Sequence, residues 1–158
     1  MIEPLRMSFQ VNCPPVHAFE VWTSKISLWW PRDHTVSGRP EVDVILEPRV
    51  GGRIFERLGA GAEHDWGEIT VWEPPQRIGY LWHLNRDRSD ATEVEITFID
   101  NDDATTRVEI EHRGWERLGT RGPQWRDANR AGWGGLLPHF AAACADDGSR
   151  VTKSGQAD

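Results

Sequence analysis

The chain has 158 residues, with 25 acidic and 18 basic side chains and a formal charge of −7. That length suits one domain with a core of its own. The acidic balance argues against a general nucleic-acid binder, which would neutralise phosphates with excess Lys and Arg, and no apolar run approaches the length of a bilayer span.

The N-terminus, MIEPLRMSFQV, lacks the basic start and apolar core of a signal peptide, so a cytoplasmic setting is expected. Leu5 to Val11 alternates apolar and polar residues and predicts a half-buried strand. Asn12-Cys13-Pro14-Pro15 breaks it, and Pro15 suits the first turn of a helix. Val16 to Trp22 reads as a short helix with Phe19 and Trp22 inward. Ser24 to Trp30 is a second short helix or turn, stopped by Pro31. Arg32 to Pro40 is a polar loop.

Strand signals then follow between turns. Val42–Leu46, Arg53–Leu58, Asp65–Trp72, Arg77–Leu84, Thr92–Ile99 and Thr106–His112 are the predicted strands. Gly51-Gly52 lacks GxxxxGK[ST] and leads into a strand, so it is a turn or bulge and not a phosphate loop. Asn85 to Ala91 is a charged tip, and Asp100 to Asp103 a hairpin turn. Trp115 to Gly122 connects to the one long helix, Pro123 to Cys144. Residues 1–145 form the single domain, and 146–158 read as a polar, disordered tail.

In that helix Trp125, Ala128, Gly132, Trp133, Leu136 and Phe140 fall on one face, with Arg126, Asp127, Arg130 and His139 mostly opposite. Gly134 and Gly135 each cost about 1 kcal/mol relative to Ala in a helix interior, and Pro138 predicts a kink near Gly134. Either Gly135 admits a close approach of the sheet, or the kink is a hinge that moves Trp125 and Trp133 over a cavity entrance. One strand, two short helices, six strands and a long helix make an α+β chain with an antiparallel sheet. Such a sheet, strongly twisted, bends about the terminal helix and leaves a cavity between them.

Nine tryptophans stand against one tyrosine and five phenylalanines. Either they fill the core as bulk, or several line a pocket for a flat or apolar ligand. Cys13 and Cys144 lack CxxC spacing; two separate thiols are expected, a single disulfide between them being the other reading.

The ordered set of motifs resembles a family. Pro14-Pro15 precedes Phe19-Glu20-Val21-Trp22; Leu28-Trp29-Trp30-Pro31 and the run Glu47 to Arg53 follow. Then come Trp66-Gly67-Glu68-Ile69, Trp72 to Ile78, Tyr80-Leu81-Trp82, the strand Thr106 to His112 with Arg113-Gly114, and Gly132-Trp133. From about Met7 to Cys144 the chain is similar to the START-like, helix-grip SRPBCC superfamily, in the branch of homologues of an activator of heat-shock-protein ATPase. Pro138 departs from the pattern. The resemblance implies a curved sheet of about seven antiparallel strands gripping the C-terminal helix around a cavity. Relatives bind lipids, sterols, polyketides or other apolar molecules, and some are cyclases or hydrolases; chaperone stimulation does not transfer with the fold.

The expected ligand is therefore a small apolar or aromatic molecule. The expected wall comes from the sheet (Trp66, Trp72, Tyr80, Trp82, Ile96, Phe98, Ile110 and His112) and from the helix (Trp125, Trp133, Leu136 and Phe140). Ile78, Tyr80, Trp82 and Leu84 share one strand face, which turns His83 outward. His112 shares a face with Val108 and Ile110 at a strand end, near the cavity mouth; it is a general-base candidate or a histidine bonded within the core. Tyr80 is a polar handle or a packed ring. Glu68 is a buried carboxylate with a raised pKa if Trp66 and Trp72 face inward, and a solvated residue if Ile69 does. Asp33-His34 and Glu63-His64-Asp65 have no recognised metal spacing, and no metal or cofactor is expected. No GxSxG setting supports a hydrolase triad. The arginines from Arg113 to Arg130 face solvent or an acidic partner. Three functions are consistent with these residues: binding of a small molecule, an enzyme using a cavity histidine, and a protein-interaction module (a homodimer or a chaperone-associated factor).

Overall fold

The structure is a computed structural model that describes residues 2–84 and 87–145, Arg88 by its backbone alone. Strand β1 (Leu5–Val11) leads into α1 (Pro15–Trp22) and α2 (Ile26–Trp29), followed by a 3-10 turn at Arg32–His34. Six strands come next: β2 (Asp43–Leu46), β3 (Arg53–Arg57), β4 (Glu63–Glu73), β5 (Arg77–Trp82), β6 (Thr92–Asp100) and β7 (Thr106–Arg113). A 3-10 stretch, Trp115–Arg121, delivers the chain to α3 (Gly122–Ala145). The seven strands form one antiparallel sheet in the order β1-β7-β6-β5-β4-β3-β2. The long helix packs against it, as an α+β helix-grip architecture requires. No helix of the described residues is long and apolar enough to cross a membrane.

Alternation explains the sheet's sidedness. Along β6, Thr92, Val94, Ile96 and Phe98 are buried, and along β7, Thr106, Val108, Ile110 and His112. Register pairs Val94 with His112 and Ile96 with Ile110, so both rows turn to the core. The outer face is a charge ladder in which Arg113 meets Glu93, Glu95 and Glu111, while Arg77 meets Glu73 and Glu95. Each such exposed pair contributes about 0.2–1 kcal/mol, so the sheet is held by its inner face.

The helices are tied by side chains. Thr23 Oγ1 closes α1 on the Phe19 carbonyl at 2.7 Å, and Trp29 Nε1 joins α2 to the Val21 carbonyl at 2.7 Å. Trp22, Trp29 and Phe140 meet at ring distances of 5.1, 4.8 and 5.3 Å, which seats α3 on α1 and α2. Helix α3 runs uninterrupted through Gly134, Gly135 and Pro138. An added Cβ on Gly135 would lie 3.3 Å from His34 Nε2, so what approaches closely there is the 3-10 turn and not the sheet.

Two irregularities matter for the site. Pairing shifts between Ile54 and Phe55 on one side of β4 and between Ile69 and Val71 on the other. Each bulge reverses the parity of the residues beyond it. Trp66 and Ile69 are therefore both buried, while Glu68 lies opposite Arg53 and Leu81 on the outer face. Gly67 sits where a Cβ would come within 2.0 Å of the Leu81 carbonyl oxygen, so only glycine fits the crossing. The second irregularity is the end of β5. The amides of His83 and Leu84 both bond the Trp66 carbonyl, and Leu84 has φ 47°. Alternation stops there, and His83 is buried although strand parity turns it outward.

Cys13 and Cys144 are both buried free thiols, and they are neighbours that hydrogen-bond each other. The predicted tail, 146–158, lies outside the described residues.

Candidate functional site

Between α3, the 3-10 turn after α2 and the end of β5 lies a cavity of about 280 Å³. Trp30, Tyr80, Trp82, Trp125, Trp133, Leu84 and Leu136 supply its apolar wall; Asp33, His34, Thr35 and Asn129 supply its polar groups. Ala128 and Gly132 form the low part of the helix face. Below Tyr80 and Trp82, a space of about 10 Å³ among Trp22, Ile26 and Trp66 leaves the floor closed. A wider concavity of about 450 Å³ on the outer sheet face involves Arg6, Glu95, Glu109 and Glu111, whose charges already form ion pairs.

The aromatic wall is one connected body. Trp30 lies 5.0 Å from Trp66 and 6.2 Å from Trp82, and Trp66 lies 5.6 Å from Trp82. Tyr80 sits 6.0 Å from Trp82, and its hydroxyl oxygen accepts the Trp22 indole N–H. Burial pushes the Tyr80 phenol well up, so it stays neutral.

Two buried polar residues set the wall's geometry. The first is Glu56 on β3, fully buried. Its Oε1 accepts the Val36 amide at 2.6 Å and the Trp66 indole N–H at 2.7 Å; Oε2 accepts the Ser37 amide at 2.9 Å. Burial alone would raise this carboxyl, but the Val36 and Ser37 amides and then the Trp66 indole outweigh it and hold the carboxyl below its ordinary value. A buried carboxylate thus clasps the loop after the 3-10 turn and fixes the indole behind Trp30.

The second is His112, also fully buried. Trp133 Nε1 donates to its Nδ1 at 3.1 Å. An indole can only donate, so Nδ1 accepts and the neutral ring carries its proton on Nε2. Nε2 donates to Thr92 Oγ1 at 2.7 Å, and Thr92 donates to the Trp82 carbonyl at 3.3 Å. Trp115 covers the ring at 4.3 Å and donates to the His112 carbonyl at 2.9 Å. The chain of bonds joins Trp133 on the helix to Trp82 on the sheet, the two sides of the cavity.

Of the residues singled out in the sequence, Tyr80, Trp82, Trp125, Trp133 and Leu136 line this cavity together. His112 does not reach it; the strand end expected to form the mouth is roofed by Trp115 and Trp133. Trp66 stands one layer behind. Trp72 packs on Phe19 at 5.2 Å, and Phe98 meets Phe19 at 5.4 Å, away from the cavity. Ile96, Ile110 and Phe140 are core residues. Glu68 is half-exposed on the outer face. The arginines Arg113, Arg117 and Arg121 pair with Glu93, Glu95, Glu111 and Asp90, and Arg126 bonds the Glu3 and Pro4 carbonyls.

Sequence reasoning did not place Trp30 or Glu56 at the site, and it weighed the Asp33-His34 pair only as a metal site. A signal for Glu56 was present, because alternation in Arg53-Ile54-Phe55-Glu56 places it on the inner face with Ile54. Phe55 is buried on the other face by Arg53 and Arg57, whose guanidinium carbons lie 4.0 and 5.3 Å from its ring, and that disguises the parity.

Comparison with known proteins places this geometry among relatives. The family described as Activator of Hsp90 ATPase homolog 1-like protein matches residues 12–145. The self-sacrificing resistance protein CalC from Micromonospora echinospora is 28% identical, with a TM-score of 0.71 over 93% of this chain and 97% of that one. The anthrahydroquino-gamma-pyrone synthase Txn09 is 35% identical, with a TM-score of 0.57 over 78% of this chain and 84% of that one. An Hsp90 activator from Plasmodium falciparum, 20% identical with a TM-score of 0.50 over 70% of this chain and 71% of that one, shares the fold. No curated protein matches the sequence.

Proposed function

We propose that the chain, which belongs to the family of Activator of Hsp90 ATPase homolog 1-like proteins, binds a small, flat aromatic molecule between α3 and β5. The observation that carries this is the wall itself: four indoles, Trp30, Trp82, Trp125 and Trp133, with Tyr80, around one opening. Indole faces favour ring stacking over flexible chains. Among the described residues, Asp33, His34, Thr35 and Asn129 supply polar groups at the rim, which is the arrangement that orients a mostly apolar ligand.

Size narrows the class. Small-molecule pockets run from about 300 to 1,000 Å³, and this one, at about 280 Å³, suits a compact fused-ring compound better than a long acyl chain. Members of the superfamily typically bind small hydrophobic ligands. Similarity to a protein described as an anthrahydroquino-gamma-pyrone synthase supports a fused aromatic of polyketide type in particular. Titrating the protein's tryptophan fluorescence with hydroxyanthraquinones, naphthols and fatty acids tests the function. Saturable quenching by the fused aromatics alone is expected; saturation by fatty acids alone, or by nothing, refutes it.

A further inference from the structure

Among the described residues, three titratable side chains line the cavity: Asp33, His34 and Tyr80. Tyr80 is a neutral phenol whose oxygen already accepts from Trp22. His34 differs in every respect. Its backbone is fixed by the Trp30 indole, which donates to the His34 carbonyl at 3.1 Å, and by its own amide on the Pro31 carbonyl at 3.0 Å. Its ring is fixed by Nδ1, 3.0 Å from Asp33 Oδ1. The other edge of the ring, Nε2 and Cε1, faces α3 over Gly135, beside the cavity-lining Gly132 and Leu136. Among the described residues no protein group bonds Nε2.

Charge sets the polarity of this pair. The hydrogen bond from His34 holds the Asp33 carboxyl below its ordinary value, with a smaller contribution from His139 on α3. Asp33 is therefore an anion at neutral pH, and it accepts from Nδ1–H. The lone pair of the neutral imidazole then resides on Nε2. Arg32, the nearest cation in sequence, turns away to the carbonyls of Pro40, Ser27 and Trp30.

Granting the aromatic-binding function above, we propose that His34 is the proton acceptor of the cavity and that the ligand is a phenol whose hydroxyl meets Nε2. The step is a plain proton transfer. The ligand O–H bond breaks, its electron pair stays on oxygen as a phenolate, and the proton forms an N–H bond at Nε2. Asp33 acts on the proton transfer through His34: its carboxylate orients the ring and offsets the imidazolium charge. A phenolate held against an aromatic wall is the activated form from which ring closure or conjugate addition proceeds, so the cavity is built to activate its ligand as well as to hold it.

The probe is 2-hydroxyanthraquinone, whose phenolate absorbs at longer wavelength than its phenol. Its ionisation is followed by visible absorbance from acid to alkali, bound to the wild type and to His34→Ala and Asp33→Asn. The apolar wall by itself raises the ionisation pH of a bound phenol, so the informative quantity is the difference between proteins. In His34→Ala, at protein concentrations that saturate the dye, the bound dye ionises about one pH unit higher than in wild type, a tenfold change in its ionisation constant. Asp33→Asn moves the ionisation in the same direction by less, since the amide oxygen still accepts from Nδ1–H. Equal ionisation of the dye in wild type and His34→Ala, with both binding it, overturns the proton-acceptor role and leaves the binding function standing. Failure of the wild type to bind the dye overturns both.

Discussion

Glu56→Gln is the perturbation whose consequences the structure fixes most closely. The wild-type carboxylate serves three N–H donors, two on Oε1 and one on Oε2, and the Ser37 hydroxyl bonds it as well. An amide keeps one acceptor oxygen and sets an NH2 against whichever donor the other oxygen served. If the oxygen stays with Val36 and Trp66, the amide nitrogen faces the Ser37 N–H, donor against donor. Charge-assisted hydrogen bonds contribute about 1.5–3 kcal/mol each, and a stranded buried donor costs about 1–3 kcal/mol. Ser37 is only half-buried, so water recovers part of that. A loss of about 2–4 kcal/mol at pH 7 is expected. The sign with pH comes from the depressed carboxyl. Its stabilisation is complete above the unfolded value, near 4.5, and is lost as pH falls through the lower folded value. Urea denaturation of both proteins at pH 7 and in steps below pH 4.5 measures the gap. A gap present at pH 7 that closes in acid is the expected result. Equal stabilities at pH 7, or a gap that does not narrow, would refute the clasp.

The remaining predictions address the other parts of the site. His112→Phe strands the buried Trp133 N–H and should cost about 2 kcal/mol, a fall of about 4–8 °C in melting temperature for a domain of this size; an unchanged melt would deny the bridge. Gly134→Ala and Gly135→Ala both gain up to about 1 kcal/mol of helix propensity. Nothing lies within 4 Å of a Cβ on Gly134, whereas one on Gly135 meets His34 at 3.3 Å. Calorimetric titration should therefore show 2-hydroxyanthraquinone affinity reduced severalfold in Gly135→Ala alone, and equal affinities would remove His34 from the rim. Cys144, raised by its bond to Cys13 and by burial, should resist alkylation in the native protein and react only on unfolding; rapid native labelling would contradict the packing of α3.

How far the chain could be read in advance depended on how local the cause was. β1, β6 and β7 show unbroken alternation, and β1 is observed from Leu5 to Val11 as the pattern predicts. In β4 the same rule left both faces open, because bulges beside Ile54/Phe55 and Ile69/Val71 reset parity twice. His83 was misplaced for a related reason: the strand stops one residue before it. On α3 the spacing of Trp125, Trp133 and Leu136 already marked the wall that faces the cavity. The opposite wall was hidden. Trp30 ends a short helix, and His34 lies in a polar loop whose position is set from twenty residues away by Glu56, a contact that no periodicity encodes. Strand parity placed His112 on the inner face and left open whether it met the cavity or bonded within the core; Trp115 and Trp133 close over it, a contact between distant elements that parity does not encode.

The central claim is that the space between α3 and β5 is the ligand site, and Gly132 offers a direct way to close it. Gly132 lines the cavity, and a Cβ there meets nothing within 4 Å, so Gly132→Phe places a ring in the opening without disturbing the core. Calorimetric titration of 2-hydroxyanthraquinone into wild type and Gly132→Phe, with urea denaturation to confirm equal folding, is the deciding measurement. Saturable one-to-one binding to the wild type, abolished in the folded variant, is predicted. Undiminished binding to Gly132→Phe would place the ligand elsewhere and contradict the account.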